Sequence, residues 1–158
     1  LILSGPFARH TARVTRRAAE RVPFEHLVTR IRSGPPWPIR LVDGPVNLVE
    51  YFVHLEDVRR AVDGWAPRSG LDDLQDALWP FQKSGTKLRT RRVQDVGLSI
   101  ARPGGQPVAV RSGSRQVTAT GDPGELALFF FGRRDRSHVD LTGDPDGIRE
   151  VRSAPIGF

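Results

Sequence analysis

The spacing of apolar residues changes part-way along the chain, and the change predicts two kinds of structure. Over roughly the first 90 residues, apolar side chains recur every three or four positions, which is the period of an amphipathic helix. This part is predicted to form helices over 7–21, 23–33, 43–62 and 71–81, with a further helical turn over 88–92. Pro80 falls inside the fourth helix and is expected to kink or shorten it.

From Val93 onward apolar and polar residues alternate, as they do in strands that bury one face. Strands are predicted over 93–100, 108–110, 116–120 and 138–142, with helices over 123–132 and 145–152. Short Gly- and Ser-containing turns separate the first three strands, so we predict an antiparallel meander.

The motif Thr-Gly-Asp-Pro occurs twice in this second part, at 120–123 and at 142–145. Each copy offers Asp as a helix N-cap and Pro as the first helical residue. Glu125 is predicted to complete a capping box with Asp122. Helix capping explains these Gly-Asp pairs better than phosphate binding does.

Together these patterns predict an α+β protein with two domains. Residues 1–92 would form a helical bundle, and residues 93–158 a small α+β domain with an antiparallel sheet.

The predicted helix 43–62 contains the most informative chemistry. Glu50 and His54 are four residues apart, so they lie one turn apart on the same helix face. Apolar residues cover most of the remaining surface, which predicts a largely buried helix whose charged groups need partners. The spacing leaves two interpretations open, a two-ligand clip for a divalent metal and a structural Glu–His hydrogen bond.

Composition narrows the classes of function. The chain has 158 residues and contains no Cys, so thiolate metal sites, catalytic Cys and disulfides are excluded. No apolar run reaches the ~20 residues of a membrane span, and no signal peptide is visible, so we expect a cytoplasmic protein. The net charge of +6 is carried mainly by Arg, without a recognisable nucleic-acid motif or aromatic stacking residues, so nucleic-acid binding is disfavoured.

Several stretches resemble the DinB-like, mycothiol-dependent maleylpyruvate isomerase superfamily, and in particular a subgroup of uncharacterised actinobacterial metal-binding proteins. The most specific stretch is Val49-Glu-Tyr-Phe-Val-His54 with the following Glu-Asp57-Val-Arg-Arg60. The other similar stretches lie at 5–14, 27–37, 64–68 and 121–133.

The resemblance implies a helical bundle that holds a zinc-like divalent metal through two His and one Glu. Glu50 and His54 match the second and third ligands. The first ligand is a His on an earlier helix, and we expect that helix to lie upstream of residue 1, because the resemblance begins after it. His10 is the alternative within the chain.

In this family a low-molecular-weight thiol such as mycothiol is a cosubstrate, and an Arg of the C-terminal domain acts near the metal. Arg133 is the counterpart by position, where it could hold an anionic substrate, and the alternative is a solvated cap at the C-terminal end of the Phe-rich helix. Asp57 is expected either to orient His54 or the cofactor or to form a surface pair with Arg59 or Arg60. The implied function is a metal- and thiol-dependent transferase or isomerase acting on an unidentified small substrate. A non-catalytic metal-binding or sensor protein is the alternative, and a homodimer is left open.

Overall fold

The computed structural model describes residues 6–33 and 37–156. The chain divides into two compact units, one with residues up to Gly44 and one that begins at Pro45. The sequence predicted a domain boundary between residues 92 and 93. Both residues lie in the second unit, and a division into domains at this point stays a prediction.

The first unit contains helices α1 (Pro6–Arg21) and α2 (Phe24–Ser33) and the beginning of α3 (Trp37–Arg59). The first two helices were predicted correctly to within one residue. The third was predicted to begin at Asp43 but begins at Trp37, because Pro38 suits a first helical turn and the helix continues through Pro45. The sequence predicts that Gly34 caps the C-terminal end of the second helix, and this residue lies outside the described residues.

In the second unit, α3 ends at Arg59, and α4 runs over Asp72–Arg89. Helix α4 continues through Pro80, so the prediction of a helix ending at residue 81 was wrong. Burial of Leu78, Gln82 and Thr86 on one face of α4 stabilises both sides of the proline. Of the helical turn predicted at 88–92, residues 88 and 89 are the end of this one helix, and residues 90–92 form a turn after it.

Four strands form one sheet: β1 (Val96–Ala101), β2 (Val108–Arg111), β3 (Arg115–Thr120) and β4 (Asp140–Gly143). Their order is β2-β1-β3-β4. Strands β1 and β3 are parallel, whereas the other two pairings are antiparallel. The sheet is therefore mixed, and the prediction of an antiparallel meander was wrong.

The connection between β2 and β3 explains this topology. Residues 112–114 cross the beginning of β1 instead of turning back beside β2. A Cβ atom on Gly113 would lie 2.2 Å from the carbonyl carbon of Val96, so glycine permits this close approach. Turn residues in the sequence indicated a reversal of direction but not the crossing.

Helix α5 (Pro123–Phe130) is buried along its whole length and contributes to two apolar clusters. Its Leu126, Phe129 and Phe130 pack with the sheet and with α6 (Pro145–Ser153). On the other side, Ala127 and Leu128 pack with α3 and α4 in a cluster formed by Val49, Phe52, Val53 and Leu78. A 3-10 turn (Arg134–Arg136) leads from α5 toward β4.

The α+β class is confirmed by six α-helices and a four-stranded sheet in the described part of the chain. A DinB-like bundle stays a prediction. No helix within the described ranges is both long and apolar enough to cross a membrane.

Candidate functional site

Helix α3 carries two sets of charged residues that face in different directions. Successive helical residues are rotated by about 100°, so residues four apart nearly coincide and residues two apart lie on opposite sides. The open set contains Glu50, His54 and Asp57. The buried set contains Glu56, Arg60 and the residues that pair with them. Arg60 lies just beyond the end of α3.

His54 is the most accessible member of the open set. Its side chain is 74% exposed, and its Nδ1 atom lies 3.8 Å from Oδ2 of Asp57. The prediction that this helix is largely buried was wrong for this face, because Tyr51, Leu55 and Val58 are also exposed. Water can therefore solvate the imidazole of His54, so this side chain does not need a partner within the protein.

Asp57 is held in place by Arg133. Arg133 donates from Nε to Oδ1 at 2.9 Å and from Nη2 to Oδ2 at 2.6 Å, a bidentate pair. Its Nη1 donates to the carbonyl oxygen of Phe131 at 2.6 Å. The hydrogen bonds from Arg133 lower the pKa of Asp57 below its usual value, so Asp57 carries a fixed negative charge beside His54.

Glu50 is half-buried at the other end of the open set. Its charge acts on Arg89, whose guanidinium lies 3.5 Å from the centre of the Phe131 ring. Burial lowers the pKa of Arg89 to about 10, and the charge of Glu50 partly opposes that shift. Two arginines thus contact Phe131. Arg133 donates to its carbonyl oxygen, and the guanidinium of Arg89 lies over its ring.

The structure therefore connects three of the predicted site residues, His54, Asp57 and Arg133, through direct contacts. Among the described residues, no group of three or more His, Cys, Asp or Glu side chains could hold a metal ion. Glu50 and His54 could thus supply at most two ligands, and the side chain of His10 is not among those described.

Sequence reasoning missed the buried set, which is centred on Glu56. This residue is 1% exposed and accepts hydrogen bonds from three arginines. The donors are Arg59 Nη1 at 2.9 and 3.0 Å, Arg60 Nε at 2.7 Å and Arg68 Nε at 3.0 Å. Burial alone would raise the pKa of Glu56, but the hydrogen bonds from Arg60 and Arg59 outweigh it and leave the pKa lowered.

Arg60 joins Glu56 to the second half of the unit. It is 3% exposed and donates to Glu125 Oε2 at 2.9 Å and Oε1 at 2.5 Å, and to the carbonyl oxygen of Arg136 at 2.6 Å. Its guanidinium carbon also lies 4.4 Å from the centre of the Trp65 ring, a cation–π contact. Helix α3, the loop after it and helix α5 are thus tied together by one buried charge network.

The role of Glu125 differs from the one predicted. Its carboxylate accepts from Arg60 and, at 2.8 Å, from the backbone N–H of His138, so it is not available for a capping box. The Asp122 side chain makes no capping hydrogen bond, whereas Asp144 accepts from the Gly147 N–H at 2.8 Å. Both motifs place Asp at the N-cap and Pro at the start of the helix as predicted, but only Asp144 caps its helix through the side chain.

Close packing brings Glu125 to Arg60. A Cβ atom on Gly124 would lie 2.5 Å from Cζ of Phe52, so the first turn of α5 approaches α3 more closely than an alanine would allow. A carboxylate inside the apolar stretch 124–131 was the one sequence signal for a buried ion pair, because such a group requires a partner.

No protein-family model matches this sequence, and neither a curated protein sequence nor a solved structure matches it. Any function must therefore be inferred from the chain itself.

Proposed function

We propose that this chain is a divalent-metal-binding protein of the mycothiol-dependent maleylpyruvate isomerase type, with Glu50 and His54 as two of its ligands. One observation carries the proposal. His54 is exposed and has Nδ1 beside Asp57, which leaves its other ring nitrogen directed away from that carboxylate. Metal-binding His residues usually place their second nitrogen against a carboxylate in this way.

The donor types fit a zinc-like ion. An imidazole and a carboxylate one helical turn apart are common ligands of Zn²⁺, and both side chains reach solvent at least in part. A mononuclear site needs a third protein ligand, and the described side chains do not supply it. We therefore expect the third ligand to come from a side chain outside those described.

In this proposal Asp57 and Arg133 position His54 rather than bind the metal. Both oxygens of Asp57 accept from Arg133, so this carboxylate is poorly placed to act as a ligand. Arg133 uses three nitrogens on Asp57 and Phe131, which favours a positioning role over direct capture of an anionic substrate. Its catalytic role stays a prediction.

The bound metal would lower the pKa of a coordinated thiol and so supply a nucleophile at neutral pH. The chain contributes ligands, a fixed carboxylate beside one ligand, and an accessible helix face. In line with the resemblance in sequence, we propose that a low-molecular-weight thiol such as mycothiol binds to the metal as a cosubstrate. The reaction would be a thiol-dependent transfer or isomerisation.

The test is a titration of the purified chain with Zn²⁺ against a coloured chelator. We expect binding by the wild-type protein, its loss in Glu50→Gln and in His54→Ala, and roughly 10- to 100-fold weaker binding in Asp57→Asn. Glu20→Gln and His26→Ala are matched controls, because both residues are exposed and lie on other helices. Equal binding by all five variants would refute the site.

Cobalt(II) separates a thiol-dependent protein from one that only binds metal. In the Co²⁺-loaded protein, addition of a thiol should produce a sulfur-to-cobalt absorption band that is missing in His54→Ala. A Co²⁺ spectrum that does not respond to the thiol would favour a non-catalytic metal-binding or sensor protein.

A further inference from the structure

A basic groove on the second unit, remote in sequence from Glu50 and His54, offers a separate binding surface. The groove encloses about 480 Å³ between α4 and β2. Its lining is formed by Lys83, Lys87, Arg91, Ala109, Val110, Arg111 and Ser112. Four of these residues are cationic, and no acidic residue is found among the described residues that line it.

The cations are available to a ligand. Lys83, Lys87 and Arg91 are exposed, and none of them takes part in the ion pairs found within the described ranges. Arg111 is half-buried and donates from Nη1 to the carbonyl oxygen of Thr90, which fixes its position at the end of the groove. The groove therefore carries a positive charge that its own walls do not neutralise.

The other wall of the groove is the edge of the sheet. Strand β2 is first in the strand order, so only its β1 side is paired within the sheet. Its outer backbone N–H and C=O groups can pair with an added strand. A helix beside an open strand edge is a surface that an extended peptide can enter.

The spacing of the cations matches an extended chain. Lys83 and Lys87 are four residues apart on one face of α4, which separates them by about 6 Å along the axis, and Arg91 follows two residues beyond the end of the helix. Alternate side chains of a β-strand are about 6.6 Å apart. Two acidic residues at alternate positions of one strand can therefore meet Lys83 and Lys87 in register, and Arg91 adds a third positive charge at the same groove.

We propose that this groove binds an extended acidic peptide segment of a partner protein, which adds as a strand to β2 and places alternate carboxylates against Lys83 and Lys87, with Arg91 as a further cationic contact. Nucleic acid is disfavoured because none of the described residues that line the groove has an aromatic side chain for base stacking. The groove cations also fit a purely protective role, since charged residues often shield strand edges, and the experiment distinguishes these cases.

The probe is a fluorescein-labelled peptide of four Glu-Val repeats, measured by fluorescence anisotropy. A Glu-Pro peptide carries the same charge but lacks the N–H groups for strand pairing at every second residue. A Lys-Val peptide has the opposite charge, and an oligodeoxythymidine of equal charge represents nucleic acid. We expect Glu-Val to bind more tightly than any of the other three.

Charge reversal at the groove tests the location. The variant Lys83→Glu/Lys87→Glu/Arg91→Glu should bind Glu-Val roughly 10- to 100-fold more weakly, which is the order expected for the loss of three exposed ion pairs. Arg13→Glu/Arg17→Glu/Arg21→Glu is the matched control. It changes charge equally at the same spacing in sequence on exposed residues of α1 and should leave binding within about twofold once net charge is screened by salt.

Hydrogen exchange by NMR gives a readout of strand addition in the wild-type protein. Glu-Val should slow exchange at alternate backbone amides within Val108–Arg111, because outward N–H groups gain partners. Equal binding of Glu-Pro, unchanged exchange in β2, or tighter binding of the oligonucleotide would each overturn the proposal. Absence of any binding would also overturn it and would assign the cations to protection of the strand edge.

Discussion

The two charged sets of α3 use similar residues in opposite environments. In the open set, His54 is 74% exposed and its neighbours Asp57 and Arg133 are each about one-third exposed. In the buried set, Glu56 and Arg60 are 1% and 3% exposed. Two positions along one helix separate a side chain that can meet a ligand from one that cannot.

The comparison shows that the position of each charged residue around the helix axis determines whether its side chain is buried or exposed. Glu50 and His54 drew attention because their chemistry suits a metal, and Glu56 lies about 200° around the helix from His54. The buried set stabilises the frame, because its charges cannot return to water without opening the contact between α3 and α5. The open set contributes little to the contact between α3 and α5, so its side chains are available to bind a ligand.

The largest expected effect comes from breaking the buried set. Arg60→Met should lower the free energy of unfolding by about 3–5 kcal/mol, because it leaves Glu125 buried without its cationic partner. Arg59→Met removes a partly exposed partner of the same Glu56 and should cost only about 0.2–1 kcal/mol. Urea denaturation of both variants measures the difference.

A double variant sharpens this test. Arg60→Met combined with Glu125→Gln removes the uncompensated charge and should recover part of the stability lost in Arg60→Met. If Arg59→Met and Arg60→Met lowered the free energy of unfolding equally, the prediction that the buried arginine contributes more than the partly exposed one would be wrong.

An intermediate effect is expected from the contact that brings the buried set together. Gly124→Ala should lower the free energy of unfolding by about 1–3 kcal/mol, since the new methyl group would overlap the buried ring of Phe52. Phe52→Leu should make the alanine less costly, so the two substitutions should be non-additive in urea denaturation. Strict additivity would mean that the ring is not what requires glycine.

The smallest effect is expected in the open set. Asp57→Asn should lower the free energy of unfolding by at most about 1 kcal/mol near neutral pH, because its pair with Arg133 is partly exposed. The pKa of Asp57 lies below its usual value of 3.8 in the folded protein. The contribution of the pair is therefore present above that value and is lost as the pH falls through the lowered pKa.

Urea denaturation of the wild type and of Asp57→Asn across acidic pH would check this prediction. The two stabilities should converge as the pH falls, and salt should reduce their difference at neutral pH. A difference that grows toward acid would contradict the lowered pKa.

Much of the local structure could be predicted from the sequence. The helices at the beginning of the chain and the positions of β2, β3, α5 and α6 follow from periodicity and from Pro and Gly residues that end or begin elements. Pro80 misled the prediction of α4, because packing on both sides of a proline can maintain a helix that local propensity would end.

The arrangement of strands and charges was harder to predict. A short Gly-containing connection looks the same in sequence whether it reverses the chain or crosses a neighbouring strand, so the β1–β3 pairing was missed. Glu56 was overlooked because one of its partners, Arg68, comes from the loop after α3, and another, Arg60, is itself held by Glu125 from a distant part of the chain. For the open set, residue type and spacing suggested His54, Asp57 and Arg133, and the structure connects these three residues.

The passage of residues 112–114 across β1 also bears on the order in which the sheet assembles. β1 and β2 are close in sequence and can close as a hairpin early, whereas β3 must pass the beginning of β1 before it pairs on the far side. We therefore expect the pairing of β1 with β3, which closes a longer loop, to form after the hairpin. Synthesis from the N-terminus presents the strands in an order that suits this sequence of events, because the hairpin emerges before the strand that has to pass it.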